Sequence, residues 1–389
     1  MVAPEPIFEP RGTPLSVVGR LKAYSDMGHA VDLLTYSIGE DVRLPNIRIH
    51  RIPKVPGIRR IKIGPSIRKL PLDFLLMIKT AAWASTGRFD CLHTHEEAGF
   101  WGAALGRWFR IPHLYDMHSS LPQQLGNFQF TKSLILVRLF EKMEAWVLKH
   151  SSAVITICPD LQEHVQKWFP GKLSHLIENV VDYGMVFGER DRSSRIRESL
   201  DLSGKKTVLY TGTFEPYQGL DLLIDSARAV FDAVPSARFL LVGGHPGQVA
   251  DYKQTVKDKG LESCFLFTGQ VPPQEVNSYI RCADALVSPR TRGTNTPLKI
   301  YAYLRSGVPI VATRLWTHTQ VLDDRVAILT DATPEAFGRG IVKALTDLRS
   351  AGAVRRNAAA LAGERYGYRT YLEKLDRALA SAAGIRKQD

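Results

Sequence analysis

Short apolar runs alternate with longer amphipathic stretches along almost the whole 389-residue chain. The short runs predict buried strands, and apolar positions at helical spacing between them predict crossover helices. Strands that alternate with helices pair in parallel, with right-handed crossovers that cover both faces of the sheet. The predicted strands are residues 31–36, 47–52, 89–93, 113–118 and 153–158 in the first half, and residues 207–210, 239–242, 264–267, 285–288 and 309–312 in the second half.

The predicted helices fall into the same two halves. Those of the first half are residues 15–27, 70–85, 99–109 and 133–150, and those of the second half are centred near Leu223, Val256, Tyr279 and Tyr301. A polar stretch without apolar periodicity separates the halves. The pattern predicts an α/β protein with two facing Rossmann-like domains and parallel sheets. The predicted boundaries are 1–182 for the first domain, 183–204 for a linker, 205–365 for the second domain, and 366–389 for a C-terminal helix and tail that cross back to the first domain.

The first residues of the chain resemble the end of a strand. Met1, Val2 and Ala3 stand directly before Pro4, whereas a central strand needs ~5 residues. We expect either a sheet that tolerates a short strand or a true start that lies upstream.

Composition narrows the class of protein. Hydrophobic residues make up 44% of the chain and charged residues 23%, which is typical of a globular protein and excludes disordered and collagen-like chains. The four cysteines form no CxxC pair, which predicts reduced and buried thiols. No apolar run approaches the ~20 residues of a bilayer span, and no signal layout is present, so we expect a cytoplasmic protein. The net charge of +12 favours anionic partners without choosing between nucleic acid, acidic lipid and phosphorylated substrates.

Candidate ligand-binding residues lie in the turns that join strands to helices, because ligands of open α/β sheets bind at the carboxyl ends of the strands. Three glycine-containing turns qualify. They contain Gly12 and Thr13, Gly212 and Thr213, and Gly243 and Gly244, which are candidate donor-binding residues. Each turn alone is weak evidence for a binding site, since glycine often ends a strand for steric reasons.

A fourth turn carries the strongest signal. Thr296 is a good helix N-cap, Pro297 suits the first helical position, and Gly307 suits the helix end. Arg290, Arg292 and Lys299 would repel each other at this helix start without a counter-charge. The turn therefore favours an anion site over an ordinary capped helix with solvated cations. The candidate donor-binding residues of this turn are Arg290, Arg292, Thr294, Asn295, Thr296 and Lys299.

Five groups of residues follow one another along nearly the whole chain. They are Gly28-His29; Tyr115-Asp116-Met117-His118; Ile177-Glu178-Asn179; Thr211-Gly212 with Gly219-Leu220-Asp221-Leu222-Leu223; and Pro297-Leu298-Lys299-Ile300-Tyr301 with Gly307-Val308-Pro309-Ile310-Val311. In this order they resemble the family 4 retaining glycosyltransferases, of glycosyl transferase group 1. The resemblance implies a GT-B fold, a nucleotide-sugar donor held mainly by the second domain, an acceptor held by the first, and catalysis without a metal or other cofactor.

The chain departs from the family pattern at four donor contacts. Family members commonly carry Arg and Lys on the first loop of the second domain, where this sequence has Thr213 and Gln218. They also carry two Glu on the donor helix, where it has Thr294 and Ala302. Either the three cations of the fourth turn neutralise the donor phosphates instead, or the protein no longer catalyses. The Gly-Thr-Asn-Thr loop, which suits hydroxyl contacts, favours the first interpretation.

The resemblance also implies that His118 is the active-site histidine. A neutral imidazole at a strand end would accept a hydrogen bond from a donor-sugar hydroxyl, and Asp116 on the same strand face would orient it. The alternative is a histidine that caps the following turn. His93 and His95 share a strand face, which is compatible with a metal ion, but no cysteine or further spaced histidine supports a metal site. The candidate acceptor-binding residues are His95, Glu96, Ser119 and Gln123, in what is otherwise a polar loop.

The segment between Arg43 and Lys79 contains ten Lys or Arg and one acid, Asp73, together with apolar residues. This mixture fits a peripheral contact with an anionic membrane surface, at the inner face of the cell membrane. It equally fits a solvated loop that leads into a core helix. No nucleic-acid-binding module is visible.

The sequence therefore predicts a retaining, metal-independent glycosyltransferase. It would move a hexose-type unit from a nucleotide-sugar to a saccharide or lipid-linked acceptor, in cell-surface polysaccharide or glycolipid synthesis. A GT-B nucleotide-sugar epimerase would need acids and bases near the sugar, and the sequence offers none that we can identify. From a different class, the chain could be a catalytically silent nucleotide-sugar-binding subunit of a membrane polysaccharide complex, which would bind nucleotide without turnover.

Overall fold

The computed structural model describes residues 1–8, 12–58, 61, 66–120, 122, 134–181, 183–189 and 191–384. The chain divides into two compact units. Unit 1 contains Met1–Val181 together with Tyr368–Asp389, and unit 2 contains Asp182–Gly367. The last helix therefore belongs to the unit that the first part of the chain forms, which agrees with the predicted crossover.

Unit 1 is built on a seven-stranded sheet with the order β3-β2-β1-β4-β5-β6-β7, and all neighbouring strands are parallel. Its strands are β1 (Val2–Ala3), β2 (Val31–Thr35), β3 (Ile47–Arg51), β4 (Leu92–His95), β5 (His113–Met117), β6 (Ala153–Thr156) and β7 (Ser174–Leu176). Its helices up to residue 168 are α1 (Gly12–Asp26), α2 (Leu70–Ala84), α3 (Ala98–Phe109), α4 (Leu134–His150) and α5 (Pro159–Trp168). The two-residue strand β1 lies at the centre, between β2 and β4.

Burial explains why these segments form strands. Every residue of β4, β5 and β6 is buried, as expected for a parallel sheet with helices on both faces. The register of β4 and β5 sets His95 opposite Asp116. Two polar side chains are therefore held next to each other at the carboxyl end of an otherwise apolar sheet.

Unit 2 is built on a six-stranded parallel sheet with the order β10-β9-β8-β11-β12-β13. Its strands are β8 (Lys206–Thr211), β9 (Ala237–Val242), β10 (Phe265–Gly269), β11 (Ala285–Ser288), β12 (Ile310–Thr313) and β13 (Ile328–Thr330). Its helices are α6 (Tyr183–Phe187), α7 (Ser193–Ser199), α8 (Leu220–Ala233), α9 (Pro246–Asp258), α10 (Val276–Ile280), α11 (Lys299–Arg305), α12 (Trp316–Thr319), α13 (Pro334–Thr346) and α14 (Leu348–Arg365). An apolar cluster that includes Phe239, Leu241, Val311 and Phe337 packs between the sheet and helices such as α8 and α13.

The last helix, α15 (Tyr368–Ala382), packs against β5, β6 and β7 of unit 1. Tyr371, Leu375 and Ala378 are buried on its inner face. Lys374 forms a salt bridge of 2.5 Å with Glu178, a buried residue that follows β7. Both apolar burial and this ion pair therefore hold the end of the chain on unit 1.

The structure differs from the predicted elements at several places. Strand β4 begins at Leu92 rather than at residue 89, because Phe89 stacks on Trp83 before the strand starts. The polar stretch expected as a linker belongs to unit 2 and contains α6 and α7, with Ile196 buried. The short edge strands β7 and β13 were not predicted. Strand β7 (Ser174–Leu176) lacks an apolar run, whereas β13 ends a short apolar run, residues 326–329, that the prediction missed. No helix in the described part of the chain is long and apolar enough to cross a membrane.

Candidate active site

A buried ion pair lies beneath the carboxyl ends of β4 and β5. The Arg20 Nε atom, from helix α1, donates to Asp116 Oδ2 at 2.8 Å, and neither side chain is exposed. Arg20 Nη2 also donates to the carbonyl of Ile177 at 3.1 Å. The predicted residue Asp116 is thus the centre of a buried cluster. The cation of this cluster, Arg20, was not identified from the sequence.

Three histidines surround the same carboxylate. His118 Nε2 lies 3.3 Å from Asp116 Oδ1, and His93 Nε2 lies 3.3 Å from Oδ2. His95 Nδ1 lies 3.8 Å from Oδ2 and forms a hydrogen bond of 2.9 Å with His118 Nε2. On the far side, the Tyr24 hydroxyl bonds His93 Nδ1 at 2.8 Å. The structure therefore brings the predicted residues His118, Asp116 and His95 into one network.

Burial and charge together set the protonation states of this network. Burial alone would raise the pKa of Asp116, but Arg20 and His118 hold it well below its usual range. Burial lowers the pKa of His118 to about 4 and that of His95 well below its usual value. At neutral pH the carboxylate is therefore ionised and the imidazoles are neutral, so His118 can accept a hydrogen bond.

Three of these side chains have the ligand types of a metal site. Atoms of His93, His95 and Asp116 lie within 4.8 Å of one another. However, Arg20 already neutralises the carboxylate at 2.8 Å. A divalent cation would add two charges to a buried site that is balanced without it. We therefore interpret the cluster as an ion-pair network and not as a metal centre.

Glu96 links three loops at the carboxyl edge of the unit 1 sheet. It follows β4 and accepts hydrogen bonds from Thr13 Oγ1 at 3.2 Å and Ser119 Oγ at 2.9 Å. Its backbone has a positive φ of 46°, which is strained for a residue with a side chain. Burial, together with the carboxylates of Glu97 and Glu5, raises the pKa of Glu96 to about 8. The predicted residues Thr13, Glu96 and Ser119 thus meet, with Gly12 at the start of α1, whereas Gln123 lies outside the described residues.

Two turns of unit 2 approach each other closely enough to require glycine. A Cβ atom on Gly243 would lie 1.9 Å from the carbonyl oxygen of Gly212, and both residues have positive φ angles. A Cβ atom on Gly212 would lie 3.3 Å from Lys299 Nζ. Gly244, also at positive φ, packs against the Phe214 ring. The Lys299 ammonium group therefore packs closely against the backbone of the first loop of unit 2, at a position where glycine leaves room for it.

Two cations of unit 2 are shielded from water without an acidic partner. Lys299 Nζ is buried, has no hydrogen-bond partner, and lies 3.7 Å from the centroid of the Tyr210 ring. Arg290 is 9% exposed and donates to the Asn295 carbonyl at 2.7 Å and to Thr317 Oγ1 at 2.8 Å. No carboxylate among the described residues forms a salt bridge with either cation. Burial, with Arg290 nearby, holds the pKa of Lys299 well below its usual value.

The helix that was predicted to begin at Thr296 and Pro297 is shorter than the sequence indicates. It begins at Lys299, so Thr296 is not its N-cap and Pro297 precedes the helix. The Asn295 carbonyl accepts hydrogen bonds from Arg290 and Thr317, which holds this part of the turn in a non-helical conformation. The predicted anion site would therefore depend on cationic side chains and not on a helix dipole. Of the three predicted cations, Arg292 is exposed.

The two positions where the family carries Arg and Lys contact each other. Gln218 Nε2 donates to Thr213 Oγ1 at 3.4 Å, and the Thr213 carbonyl accepts from the Tyr210 hydroxyl at 2.6 Å. The loop is therefore held by neutral hydrogen bonds, while the nearest ammonium group comes from α11.

Sequence analysis missed Arg20, Tyr210 and Tyr371, which line or support these sites. Arg20 carried a signal, because it lies on the helix face of Val17 and Tyr24, which is otherwise apolar and buried. A charge at a predicted core position marks a buried pair. Tyr371 lies in α15, and only the fold shows that its ring covers Arg20, with 5.1 Å between the guanidinium carbon and the ring centroid.

Two doubly wound parallel units, with a last helix that returns to the first unit, form the GT-B fold. The crystal structure of Anabaena HepE in complex with UDP-glucose has this fold and matches with a TM-score of 0.75 and 19% identity, covering 98% of this chain and 99% of that one. Phosphatidyl-myo-inositol mannosyltransferase from Mycobacterium tuberculosis is 24% identical over 399 residues, 99% of this chain and 97% of that protein. Alpha-monoglucosyldiacylglycerol synthase from Streptococcus pneumoniae is 22% identical over 301 residues, 73% of this chain and 64% of that protein.

Two family models match successive parts of the chain. The model described as Glycosyltransferase Family 4 matches residues 12–184, and the model described as Glycosyl transferases group 1 matches residues 205–347. Together they span most of both units. The chain belongs to the group 1, family 4 glycosyltransferases, and it is a transferase enzyme.

Proposed function

We propose that the protein transfers a sugar from a nucleotide-sugar donor to a saccharide or lipid-linked acceptor, with retention of the anomeric configuration, in cell-surface polysaccharide or glycolipid synthesis. The observation that carries this proposal is the pair of cations Lys299 and Arg290. Both are shielded from water at the carboxyl edge of the unit 2 sheet, and neither has a carboxylate partner among the described residues. A buried cation without a partner is costly, so an anionic ligand is the natural counter-charge.

A diphosphate fits these cations. A Cβ atom on Gly212 would lie 3.3 Å from Lys299 Nζ, so the ammonium group is close to the backbone of the first loop, and a phosphate bound at this loop would interact with both. Charge from Lys299 and Arg290 would stabilise the leaving diphosphate, which is the role that a divalent metal has in other transferases. The diphosphate itself would then take the proton of the acceptor hydroxyl, so the reaction needs no metal and no protein nucleophile.

His118 is the proposed catalytic residue of unit 1. Its imidazole is neutral at physiological pH and can accept a hydrogen bond from a hydroxyl of the donor sugar. Asp116 lies 3.3 Å from His118 Nε2 and holds the ring in place. As the sugar gains positive charge in the transition state, the imidazole dipole would stabilise it more than it stabilises the bound donor.

Glu96 and Ser119 are the proposed acceptor-binding residues, and we add Thr13 to this group, although the sequence predicted it as donor-binding, because its hydroxyl donates to Glu96. Their hydroxyl and carboxyl oxygens are linked by hydrogen bonds at the edge of the sheet, which presents both donors and acceptors to a hydroxylated substrate. The names of the two curated relatives describe transfer to lipids, namely phosphatidyl-myo-inositol and a diacylglycerol. We therefore favour a lipid-linked acceptor.

Helix α2 is the proposed membrane contact. Leu70, Phe74 and Ile78 follow one another at a spacing of four and are 63%, 57% and 50% exposed, which gives the helix an apolar outer face. Not every residue of the segment between Arg43 and Lys79 can take part in the predicted membrane contact. Leu72 and Leu76 are buried in the core of unit 1. Lys69 is also buried and paired with Glu97 at 3.1 Å, so it does not add to the surface charge.

A two-step experiment tests the proposed function. Thermal-shift screening of the full chain against nucleoside diphosphates and their sugars should identify a ligand that raises the melting temperature. The donor found in this way is then incubated with glycolipid and saccharide acceptors, and NMR of the product should show the same anomeric configuration as the donor. Nucleotide binding without turnover of any donor would instead support a silent binding subunit, and an inverted product would exclude retention.

A further inference from the structure

We propose that Arg20 is a positioning residue, which keeps the histidines around Asp116 neutral and so preserves His118 as a hydrogen-bond acceptor. The inference rests on the proposed function only in assigning His118 to the reaction. Its electrostatic part concerns the folded protein alone and can be measured without any substrate.

Arg20 is fixed from three directions. Its Nε atom donates to Asp116 Oδ2 at 2.8 Å, and its Nη2 atom donates to the Ile177 carbonyl at 3.1 Å. The ring of Tyr371, from the last helix, covers the guanidinium group at 5.1 Å. Since the side chain is fully buried, Arg20 cannot exchange its partner for water.

The charge balance around Asp116 shows what Arg20 does. One carboxylate faces four groups that can carry positive charge, namely Arg20, His93, His95 and His118, at distances between 2.8 and 3.8 Å. A buried site of this kind is stable when its net charge is close to zero. Arginine is always protonated, so it supplies the single positive charge and the histidines do not need to. Three other titratable groups lie next to the cluster. The Tyr24 hydroxyl forms a hydrogen bond with His93, the Tyr371 ring covers Arg20, and Glu96 directly follows His95.

Without Arg20, the same carboxylate would draw a proton onto a neighbouring imidazole. His118 is well placed to take it, because its Nε2 atom lies 3.3 Å from Asp116 Oδ1. A protonated His118 has two donors and no acceptor, and its positive charge would repel a sugar that is becoming cationic. Arg20 would therefore matter for turnover although it lies beneath the site and not in contact with substrate.

The first test follows histidine protonation by NMR in the full chain labelled with 15N-histidine. In the wild type, the pKa of His118 lies at about 4. In Arg20→Met it should rise by about 1 to 3 pH units, because an adjacent carboxylate would no longer be neutralised. Arg20→Lys, which keeps the charge, should stay close to the wild type. Lys22→Met, which removes a cation from the same helix outside the cluster, is the matched control and should leave the His118 signal unchanged. An unchanged His118 titration in folded Arg20→Met would overturn the inference.

The second test follows turnover against pH, once a donor and acceptor are known. With its His118 pKa shifted by about 2 pH units, Arg20→Met should lose about tenfold in kcat at pH 5 relative to pH 8, whereas the wild type keeps most of its turnover. The KM for the donor should stay unchanged, since the donor cations are Lys299 and Arg290. A uniform loss of kcat at every pH would mean that Arg20 only supports the fold.

A double variant covers the case in which Arg20→Met does not fold. Arg20→Met with Asp116→Asn removes both charges, so no unpaired charge stays buried. Its histidines should titrate as in the wild type, with no rise in the His118 pKa. A rise in the double variant would show that the loss of Arg20, and not the unpaired carboxylate, shifts His118, and it would refute the proposed mechanism. Failure of the proposed function can be distinguished from failure of this inference. If His118 has no role in the reaction, His118→Ala keeps its turnover, but the His118 pKa measured by NMR still rises in Arg20→Met.

Discussion

The ammonium nitrogen of Lys299 lies 3.7 Å from the centroid of the Tyr210 ring, in a cation–π contact that replaces a salt bridge. The Tyr210 hydroxyl donates a hydrogen bond of 2.6 Å to the Thr213 carbonyl, which holds the ring in place. The lysine is thus kept in position by an aromatic face while its charge is left for a ligand. This arrangement makes Lys299 the most informative residue to change in unit 2.

Lys299→Ala should weaken nucleoside-diphosphate binding by ~1.5–3 kcal/mol, because a charge-assisted hydrogen bond is lost. Isothermal titration calorimetry measures the difference, and Lys257→Ala, an exposed lysine of the same unit, is the control. Since the pKa of Lys299 is lowered in the free protein, binding should also take up a proton at alkaline pH, visible as a binding enthalpy that depends on the buffer. Equal affinities of the wild type and Lys299→Ala would reject the assignment.

His118→Ala should lower kcat by about 10²-fold or more and leave donor binding nearly unchanged. The physical reason is that the contact strengthens only as the sugar becomes positively charged. Steady-state kinetics and calorimetry on the same preparation separate the two effects. His29→Ala, an exposed histidine of unit 1, should behave as the wild type. If His118→Ala folds and turns over normally, His118 is only a turn residue.

Stability should fall as the pH is lowered from 7 to 4. The pKa of His118 is lowered to about 4, and those of His113 and His318 to about 3, while unfolded histidines titrate near 6.5. In this window the unfolded chain binds more protons than the folded one, so acid favours unfolding. His118 alone should contribute on the order of 3 kcal/mol. Urea denaturation at pH 7, 5.5 and 4.5 measures the trend, and His113→Gln should make it shallower. A constant unfolding free energy would contradict these pKa values.

Glu96→Gln should stabilise the protein at pH 8.5 and be close to neutral at pH 5. The pKa of Glu96 is raised to about 8 in the folded state, so its contribution to stability is present at acid pH and is lost as the pH rises towards 8. Glutamine mimics the protonated acid and can still bond to Thr13 and Ser119. Thermal unfolding at the two pH values gives the difference, about 1 kcal/mol or more at pH 8.5. A variant that loses stability equally at both pH values would show that the carboxylate form is the one that the fold requires.

Phe74→Ser combined with Ile78→Ser should weaken binding to anionic vesicles by tenfold or more. Two large apolar side chains would no longer enter the lipid interface, where each contributes about 1 kcal/mol or more. Sedimentation with phosphatidylglycerol vesicles measures the partition, and zwitterionic vesicles show the contribution of charge. Leu348→Ser, which removes an exposed leucine from unit 2, is the control. Unchanged partition of the double variant would place the membrane contact elsewhere or exclude it.

The order of elements follows from the sequence because parallel sheets leave a strong local signal. Strands such as β6 and β12 are buried at every residue and appear as short apolar runs, and the crossover helices between them have a clear apolar period. The returning helix α15 was predicted for the same reason. Edge strands and helix starts were predicted less well. Strand β7 is only half-buried, and the turn before α11 is held by a contact within the turn, from Arg290, and by Thr317, which lies 22 residues after Asn295.

The sequence by itself also determined which side chains reach the carboxyl edges of the sheets, because the ends of parallel strands lie at one edge. The family resemblance implied the role of His118, and its position at a strand end, with Asp116 on the same strand, supported that assignment. Only the tertiary structure decided their charge states and partners. The Arg20–Asp116 pair joins α1 to β5, and the Lys299–Tyr210 contact joins α11 to β8, across gaps in sequence that no local pattern spans. Burial and pairing depend on which helix covers which strand, and that is a property of packing, not of local sequence.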